Sequence, residues 1–269
     1  MKRDLTLVIP CYNEAKRLPL ETYTRFAEAN PNVRFCFVDD GSRDGTRALL
    51  KEFCARFPRV VELVTLPRNQ GKAAAVRTGM LYVLFVLHPK PDAYVGFWDA
   101  DLATPLPEAL RFMDVLASDA RCDCVIGSRK PRSGAQIERT FPRHAISRVI
   151  AFFIRHCFRC DVYDSQCGAK IFRADSVSAL FEKPFVSRWL FDVELLLRMD
   201  NPARQVRELP LNEWHDVAGS KLKFYHGAKI IFDLARIALI YHGARVVKKL
   251  WSTTGSTCDT ILRHENPHR

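Results

Sequence analysis

Residues 5–127 alternate short apolar runs with segments of helical periodicity, and this alternation constrains the fold more than any other feature of the chain. Apolar runs predict strands, and apolar residues at helical spacing predict helices. The predicted strands are residues 5–9, 34–38, 60–65, 94–98 and 122–127, and the predicted helices are residues 20–29, 44–57, 70–87 and 105–116. Strands that alternate with long helices are typical of an α/β fold, Rossmann-like, with a mostly parallel sheet covered by helices on both faces.

A polar cluster follows the end of nearly every predicted strand. In parallel α/β sheets, ligands bind beyond the carboxyl ends of the strands, so these clusters are expected to converge on one edge of the sheet. The clusters are Tyr12-Asn13-Glu14, Asp39-Asp40-Gly41-Ser42, Asn69-Gln70-Gly71-Lys72, Asp99-Ala100-Asp101 and Ser128-Arg129.

The cluster with the clearest chemistry is Asp99-Ala100-Asp101. In extended backbone, residues two apart point to the same side, which places both carboxylates on one face. Paired carboxylates suit Mg²⁺ or Mn²⁺, and such an ion would hold a diphosphate. An ordinary turn is the alternative, since turns are rich in Asp. The position after a strand, in phase with the other polar clusters, favours the metal site.

Two further clusters have both a functional and a structural interpretation. The Asp39-Asp40-Gly41-Ser42 segment is either an ordinary turn or a set of hydrogen-bonding groups for a nucleobase and ribose. The Asn69-Gln70-Gly71-Lys72 segment opens a helix, where glycine permits close backbone approach and Lys72 can reach a phosphate or base. The alternative for the second cluster is a helix start with a solvated lysine.

The chain carries 41 Lys and Arg against 30 Asp and Glu, for a net charge of +11. Such an excess indicates an anionic partner, which can be a membrane surface, a phosphorylated substrate or nucleic acid. A nucleic-acid-binding module is the least favoured of these, because basic and aromatic residues are not interleaved as in such modules. No uncharged apolar run reaches the length of a membrane span. These features predict a cytoplasmic protein, peripheral on the cytoplasmic face of a membrane.

Nine cysteines occur without the spacing of a secreted disulfide framework, which fits free thiols in a reducing compartment. Cys157 and Cys160 could form a zinc site with Cys122 and Cys124. Buried or idle thiols are the favoured interpretation, because the spacing of the second pair does not suit zinc.

Four segments in order resemble the motifs of family 2 glycosyltransferases with the GT-A fold: residues 8–14, 38–46, 69–72 and 99–105. Four downstream segments resemble the branch of dolichyl-phosphate glucosyltransferases and dolichyl-phosphate mannose synthases: residues 126–129, 164–172, 191–196 and 219–222. The resemblance runs from Leu5 to Leu222. It implies a metal-dependent enzyme that takes a sugar from a nucleotide-sugar donor.

The resemblance also implies roles for individual residues. The nucleoside pocket would be lined by Pro10, Tyr12, Glu14 and Asp39. Lys72 would lie near the base or diphosphate, and Asp99 and Asp101 would hold the metal. The diphosphate would be closed over by Ser220 and Lys221, and the acceptor phosphate would be held by Arg129 and Arg143.

Two positions depart from the mannose synthases. Those enzymes commonly have a glutamine that completes the metal shell where this chain has Ala103, and a basic arginine roughly where it has His215. Both departures favour the glucosyl branch and therefore UDP-glucose as the donor.

The acceptor decides whether a catalytic base is needed. A polyprenyl phosphate, dolichyl or undecaprenyl, is already an anion, so direct displacement with inversion needs no base. The metal with Arg129, Arg143 and Lys221 would offset the repulsion between the two anionic substrates. The alternative is another donor, GDP-mannose or UDP-GlcNAc, with a glycan or lipid hydroxyl as acceptor. A base would then be required, and the candidates are Asp164, Asp192 and Glu194, of which the last two could equally be structural charges at a helix start.

The resemblance ends at residue 222, which predicts a catalytic domain over residues 1–222 and an extension over residues 223–269. The extension combines apolar residues at helical spacing with several Arg and Lys, followed by a polar tail. An amphipathic helix of this kind can lie in an anionic membrane interface. The alternative is a helix packed on the catalytic domain with a solvated basic face.

Overall fold

The computed structural model of the chain describes residues 3–137, 162–199, 205–215, 230 and 232–241. The chain divides into two units, Met1–Leu222 and Lys223–Arg269.

A seven-stranded sheet forms the centre of the first unit. Its order is β3-β2-β1-β4-β7-β5-β8, with β7 antiparallel to both of its neighbours and every other pairing parallel. The predicted mostly parallel α/β sheet is confirmed. The strands are β1 (Leu5–Cys11), β2 (Val33–Asp39), β3 (Val61–Thr65), β4 (Tyr94–Phe97), β5 (Cys122–Ser128), β6 (Gln136–Ile137), β7 (Lys170–Arg173), β8 (Gln205–Pro210) and β9 (Glu213–Trp214). The short strands β6 and β9 pair with each other in parallel.

Helices connect most of the strands. They are α1 (Leu20–Ala29), α2 (Thr46–Arg56), α3 (Lys72–Tyr82), α4 (Pro107–Ser118), α5 (Ala174–Phe181) and α6 (Phe191–Met199). The predicted helix over residues 70–87 begins at Lys72 and changes at Val83–Leu87 into a π-helical turn, which ends at His88 with φ of 47°. A left-handed residue at this position stops the helix, as at many helix ends.

Helix α2 begins later than the sequence predicted, and Asp44 accounts for the shift. Its Oδ1 accepts hydrogen bonds from the Thr46 amide at 3.0 Å and from the Thr46 hydroxyl at 2.6 Å. Asp44 lies two residues before the first residue of the helix, and its side chain accepts a hydrogen bond from an amide that has no partner within the helix.

The core lies on both faces of the sheet. Every residue of β2 except Arg34 is buried, which is the pattern of a strand covered by helices on each side. Trp98 is fully buried at the end of β4, and its indole N–H donates to the carbonyl of Thr104 at 2.7 Å. Tyr23, also fully buried, donates to the carbonyl of Ala100 at 3.2 Å. These two bonds fix the loop that carries Asp99 and Asp101.

The buried thiols on β5 agree with the favoured interpretation of the cysteines. Cys122 and Cys124 are fully buried, and burial raises the pKa of both thiols. Cys157 and Cys160 lie outside the described residues. Within the described ranges, no group of three His, Cys, Asp or Glu side chains is placed to hold a metal ion.

In the second unit, residues 232–241 are helical. Phe232, Leu239 and Ile240 expose 67%, 78% and 45% of their surface, which is unusual for large apolar side chains. None of the helices in the described ranges combines the length and apolar character needed to cross a bilayer. The placement of this helix in a membrane interface stays a prediction.

Candidate active site

The polar clusters converge at the carboxyl edge of the sheet, as the sequence predicted. The loop after β1 contacts the loop after β2, where the Asn13 amide donates to the Ser42 hydroxyl at 3.0 Å and the Arg43 amide donates to Asn13 Oδ1 at 2.8 Å. The start of α3 contacts the loop after β4 through Lys72 and Asp99. Four loops that are distant in sequence thus form one polar surface.

Asp40 holds the loop that leads into α3. Its carboxylate accepts hydrogen bonds from the Gln70 amide at 2.7 Å, the Gly71 amide at 2.8 Å and the Asn69 side-chain amide at 2.9 Å. Burial raises the pKa of Asp40, although these donors oppose the rise. In this structure Asp40 therefore positions the loop that carries Lys72.

Arg188 holds the same loop from the other side. Its Nε donates to the Gln70 carbonyl and its Nη2 to Asn69 Oδ1, both at 2.9 Å. Its own carbonyl accepts the Ala73 amide at 3.3 Å. Gly71 has φ of +97° and would place a Cβ 2.7 Å from Arg188 Nε, so only glycine fits between the loop and this arginine. Sequence reasoning missed Arg188, for which the chain carries no local signal.

The residues predicted for the nucleoside pocket lie at the ends of β1 and β2. Asp39 is fully buried, and its carboxylate accepts Arg47 Nε at 2.6 Å and the Ser42 amide at 3.0 Å. Glu14 is buried and paired with Arg17, while Pro10 and Tyr12 are half-buried beside it. The four residues thus lie at the ends of adjacent strands, and their contact with a nucleoside stays a prediction.

The paired carboxylates lie beside a lysine. Lys72 Nζ is 2.5 Å from Asp99 Oδ1, and Asp101 Oδ1 accepts the Ala103 amide at 3.2 Å. Desolvation opposes the ionisation of Asp99, but the positive charges of Lys72, Lys170 and Arg129 together outweigh it and lower the pKa of Asp99. Desolvation, and then the negative charge of Asp99, raise the pKa of Asp101. The positive charges of Arg17 and Lys72 oppose this rise without cancelling it, so the environments of the two carboxylates shift their pKa values in opposite directions.

Arg129, the predicted ligand of the acceptor phosphate, forms a bidentate ion pair with Asp164. Its Nε and Nη2 donate to the two carboxylate oxygens at 2.6 and 2.7 Å, and its amide donates to Oδ2 at 3.0 Å. The guanidinium also lies 5.2 Å from the centroid of the Trp214 ring, in cation–π geometry. Glu208 in turn accepts the Asp164 amide at 2.8 Å. This arrangement fixes the orientation of the guanidinium.

A second ion pair lies deeper in the site. Lys170 Nζ donates to Asp192 Oδ1 at 2.5 Å and to the Cys167 carbonyl at 2.7 Å, and both charged side chains are buried. Burial raises the pKa of Asp192, although Lys170 and Lys72 oppose the rise. Sequence reasoning missed Lys170. The available signal was a lone lysine in the otherwise apolar run from Ala169 to Phe172.

Glu194, a candidate base, has a structural role in the described residues. Its carboxylate accepts the amides of Val186 at 2.9 Å and Ser187 at 2.8 Å and is fully buried. It therefore holds the loop before α6, the loop from which Arg188 reaches the segment that leads into α3.

Three predicted residues, Arg143, Ser220 and Lys221, lie outside the described residues. The two positions that depart from the mannose synthases are adjacent in space, because the His215 amide donates to the Ala103 carbonyl at 2.9 Å. Ala103 is buried, so a larger side chain would need new space here.

A mostly parallel α/β sheet with paired carboxylates after β4, a lysine against them and a converging set of polar loops is the arrangement expected of a glycosyltransferase with the GT-A fold. Residues 6–181 match Glycosyl transferase family 2, and the chain belongs to this family. The predicted family and the predicted enzymatic class are both confirmed.

Curated relatives include a dolichyl-phosphate beta-glucosyltransferase of Trichomonas vaginalis, 32% identical over 249 residues, which cover 88% of this chain and 73% of the relative. The human dolichyl-phosphate beta-glucosyltransferase is 29% identical over 254 residues, which cover 89% and 76% of the two chains. These relatives belong to the branch that the downstream segments resemble.

Solved structures confirm the GT-A fold. A glucosyl-3-phosphoglycerate synthase of Mycobacterium tuberculosis, in complex with phosphoglyceric acid, superposes with a TM-score of 0.65 at 16% identity and covers 90% of this chain and 80% of its own. A mannosyltransferase of Pyrobaculum calidifontis, in complex with GDP-Man and Mn²⁺, gives a TM-score of 0.56 at 18% identity and covers 92% and 65%. At these identities the likeness concerns the fold.

Proposed function

We propose that this glycosyltransferase transfers glucose from UDP-glucose to a polyprenyl phosphate, such as dolichyl or undecaprenyl phosphate, with inversion at the anomeric carbon. The names of the curated relatives, dolichyl-phosphate beta-glucosyltransferases, support both the sugar and the acceptor. Bound UDP-glucose in a solved GT-A structure with the same fold supports the nucleotide.

The observation that supports a phosphate as the acceptor is that each of the three candidate bases already has a partner in the structure. Asp164 is paired with Arg129, Asp192 with Lys170, and Glu194 with two backbone amides. A hydroxyl acceptor would need one of these groups to accept its proton, and each would first have to give up its partner. A phosphate is already ionised, so it can attack without a base.

The residues present fit a divalent metal. Asp99 and Asp101 would hold it, since carboxylate oxygens suit Mg²⁺ and Mn²⁺. Lys72 contributes one positive charge beside two carboxylates, and the pKa of Asp101 is raised by desolvation and by the negative charge of Asp99. When bound, Mg²⁺ or Mn²⁺ would neutralise charge on the departing nucleoside diphosphate. Two solved relatives in fold contain Mn²⁺ with a nucleotide or nucleotide sugar.

The chain's own cations would reduce the repulsion between two anionic substrates. Lys72 lies on the donor side, where release from Asp99 would let it contact a donor phosphate. Arg129 keeps its Asp164 pair and presents its remaining N–H groups and charge to the acceptor phosphate. Arg143 would bind the same phosphate, and Ser220 and Lys221 would close over the diphosphate.

The nucleoside would bind against Pro10, Tyr12, Glu14 and Asp39, at the carboxyl ends of β1 and β2. Asp39 Oδ2 accepts a hydrogen bond from Arg47, and Asp39 Oδ1 accepts one from the Ser42 amide. A nucleoside would therefore contact Oδ1 and share this oxygen with Ser42. The small buried side chain of Ala103, beside His215, supports a donor site of the glucosyl kind.

A lipid acceptor requires access to a membrane surface. The exposed Phe232, Leu239 and Ile240 on the helix at residues 232–241, together with the net charge of +11, support peripheral binding to an anionic interface. No nucleic-acid partner is part of this proposal.

The test is a matched set of radiolabelled transfer reactions. Purified protein with Mg²⁺ receives UDP-glucose, GDP-mannose or UDP-GlcNAc, each combined with polyprenyl phosphate or with the corresponding polyprenol. Label in the organic phase is expected with UDP-glucose and polyprenyl phosphate, and its loss on chelation with EDTA is expected to be reversed by Mn²⁺. Transfer to polyprenol at an equal rate would contradict the acceptor class, and transfer only from another donor would contradict the sugar.

A further inference from the structure

Gly168 occupies a position at which glycine is not needed for backbone reasons. It lies in the loop before β7, between the buried residues Cys167 and Ala169, and its φ is outside the left-handed region. An alanine could therefore adopt the same backbone conformation. A neighbouring group must therefore be the reason that no side chain fits at this position.

The neighbour is the carboxyl group of Asp99. A Cβ at Gly168 would lie 1.8 Å from Oδ2, 2.3 Å from Cγ and 2.6 Å from Oδ1 of this one residue. Other buried glycines differ: Gly127 faces the Cys167 sulfur and two apolar side chains, and Gly96 faces the backbone of β7. Gly168 alone, among the glycines in the described ranges, has an acidic side chain as its three nearest neighbours.

The same carboxylate also contacts a lysine. Lys72 Nζ contacts Oδ1 of Asp99 at 2.5 Å, and Oδ2 is the atom nearest to the position that a Cβ at Gly168 would take. The carboxylate is therefore confined by an ammonium group and by a backbone surface without a side chain. A methyl group on that surface would force the carboxylate to rotate out of its position.

The loop that carries Gly168 is anchored on both sides and has little freedom to retreat. Before it, Asp164 is tied to Arg129 by a bidentate ion pair. After it, Lys170 is tied to Asp192 and also donates to the carbonyl of Cys167, one residue from Gly168. Because the loop is fixed, relief of a clash would come from the Asp99 side chain.

We propose that Gly168 is a positioning residue, whose absent side chain sets the orientation of the Asp99 carboxylate for the divalent metal and the donor diphosphate. The metal part of this inference rests on the proposed function. The contact itself rests only on the geometry of Gly168, Asp99 and Lys72.

The test compares Gly168→Ala with Gly45→Ala. Gly45 has φ of −72°, and its nearest neighbour for an added Cβ is 3.7 Å away, so this control adds the same methyl group without a clash. Binding of Mn²⁺ in the presence of UDP is measured by loss of the EPR signal of free Mn²⁺. Gly168→Ala is expected to weaken binding about 10- to 100-fold, as misoriented ligands do, while the control binds like the unmodified protein.

A second measurement tests the contact between Gly168 and Asp99 through the stability of the protein. Thermal unfolding is recorded for Gly168→Ala in the unmodified chain and in an Asp99→Ala background, where the clashing atoms are gone. The contact is supported if Gly168→Ala lowers Tm or prevents folding in the unmodified chain but not in the Asp99→Ala background. Gly168→Ala that binds Mn²⁺ with UDP normally, or that is equally damaging in both backgrounds, would overturn the proposal. If the unmodified protein binds no Mn²⁺, the proposed metal dependence is wrong. The contact between Gly168 and Asp99 is then still identified if Gly168→Ala lowers Tm by about 2 °C or more only when Asp99 is present.

Discussion

Removing Lys170 is expected to destabilise the protein strongly, because this step breaks a buried ion pair. The Lys170 and Asp192 side chains are 1% and 6% exposed, and their charged atoms are 2.5 Å apart. In Lys170→Met, Asp192 would keep a buried charge without its partner, and the Cys167 carbonyl would lose its donor. Breaking a buried pair in this way costs about 3–5 kcal/mol.

That cost corresponds to a large change in melting temperature. The first unit spans Met1–Leu222, and in a unit of this size 1 kcal/mol shifts Tm by about 2–4 °C. Lys170→Met is therefore expected to lower Tm by about 10 °C, as measured by circular dichroism. The exposed pair of Arg25 and Glu21, at 75% and 77% exposure, provides the control, and Arg25→Met is expected to cost less than about 0.5 kcal/mol.

The dependence on pH has a defined sign. Burial raises the pKa of Asp192 in the folded state, and loss of Lys170 would raise it further. A raised pKa means that the folded state binds more protons than the unfolded chain, so stability falls as pH rises through that pKa. The difference between Lys170→Met and the unmodified protein is thus expected to be larger at about pH 8 than at about pH 5. The double variant Lys170→Met/Asp192→Leu should recover most of the loss, because apolar replacement of a buried pair is nearly neutral. A loss below about 1 kcal/mol in Lys170→Met, or no recovery in the double variant, would refute the reasoning.

Three further perturbations test the site and the core. Asp164→Asn removes the charge that orients Arg129. Steady-state kinetics should therefore show a KM for polyprenyl phosphate raised about tenfold, with an unchanged pH profile. A kcat lowered about 10²- to 10⁴-fold would instead identify Asp164 as a base. Burial raises the pKa of the Cys167 thiol to about 11, so peptide mass mapping at pH 8 should find it unlabelled by iodoacetamide until urea is added, and rapid labelling of the folded protein would contradict its burial. Gly79→Ala would place a Cβ 2.4 Å from Val8 Cγ1, and thermal unfolding should show a cost of about 1–3 kcal/mol, whereas an unchanged Tm would mean that β1 yields easily.

The strands β1 to β5 could be predicted from sequence because each has its own local signal. Helix α1 begins at Leu20 and ends at Ala29, as its periodicity predicts, and β1 to β5 lie within two residues of their predicted bounds. The parallel strand β8 was not predicted, and neither was the antiparallel strand β7. Its four residues, Lys170–Arg173, are apolar enough to be buried, but an apolar run carries no information about its direction or its neighbours.

The site was predictable to the extent that its residues follow strands. Asp99 and Asp101 were identified because they follow β4, and Lys72 lies in contact with Asp99, while its contact with a phosphate or base stays a prediction. The partners that hold these groups were not predictable. The contacts of Asp40 with the loop before α3, and of Arg188 with the same loop, join residues about 30 and 118 positions apart. Such pairs depend on the folded arrangement and leave no pattern in a single sequence.

The charges of the described site bear on what else the enzyme needs to bind its substrates. Within the ranges that the structure describes, the central cluster has four carboxylates and three cations: Asp99, Asp101, Asp164 and Asp192 with Lys72, Arg129 and Lys170. This cluster therefore carries one more negative than positive charge, which disfavours the binding of a diphosphate and a second phosphate together. A divalent ion at Asp99 and Asp101 would reverse that sign. The predicted contributions of Arg143 and Lys221 would add two further positive charges, so we expect the metal and these two residues to act together against the repulsion between the two anionic substrates.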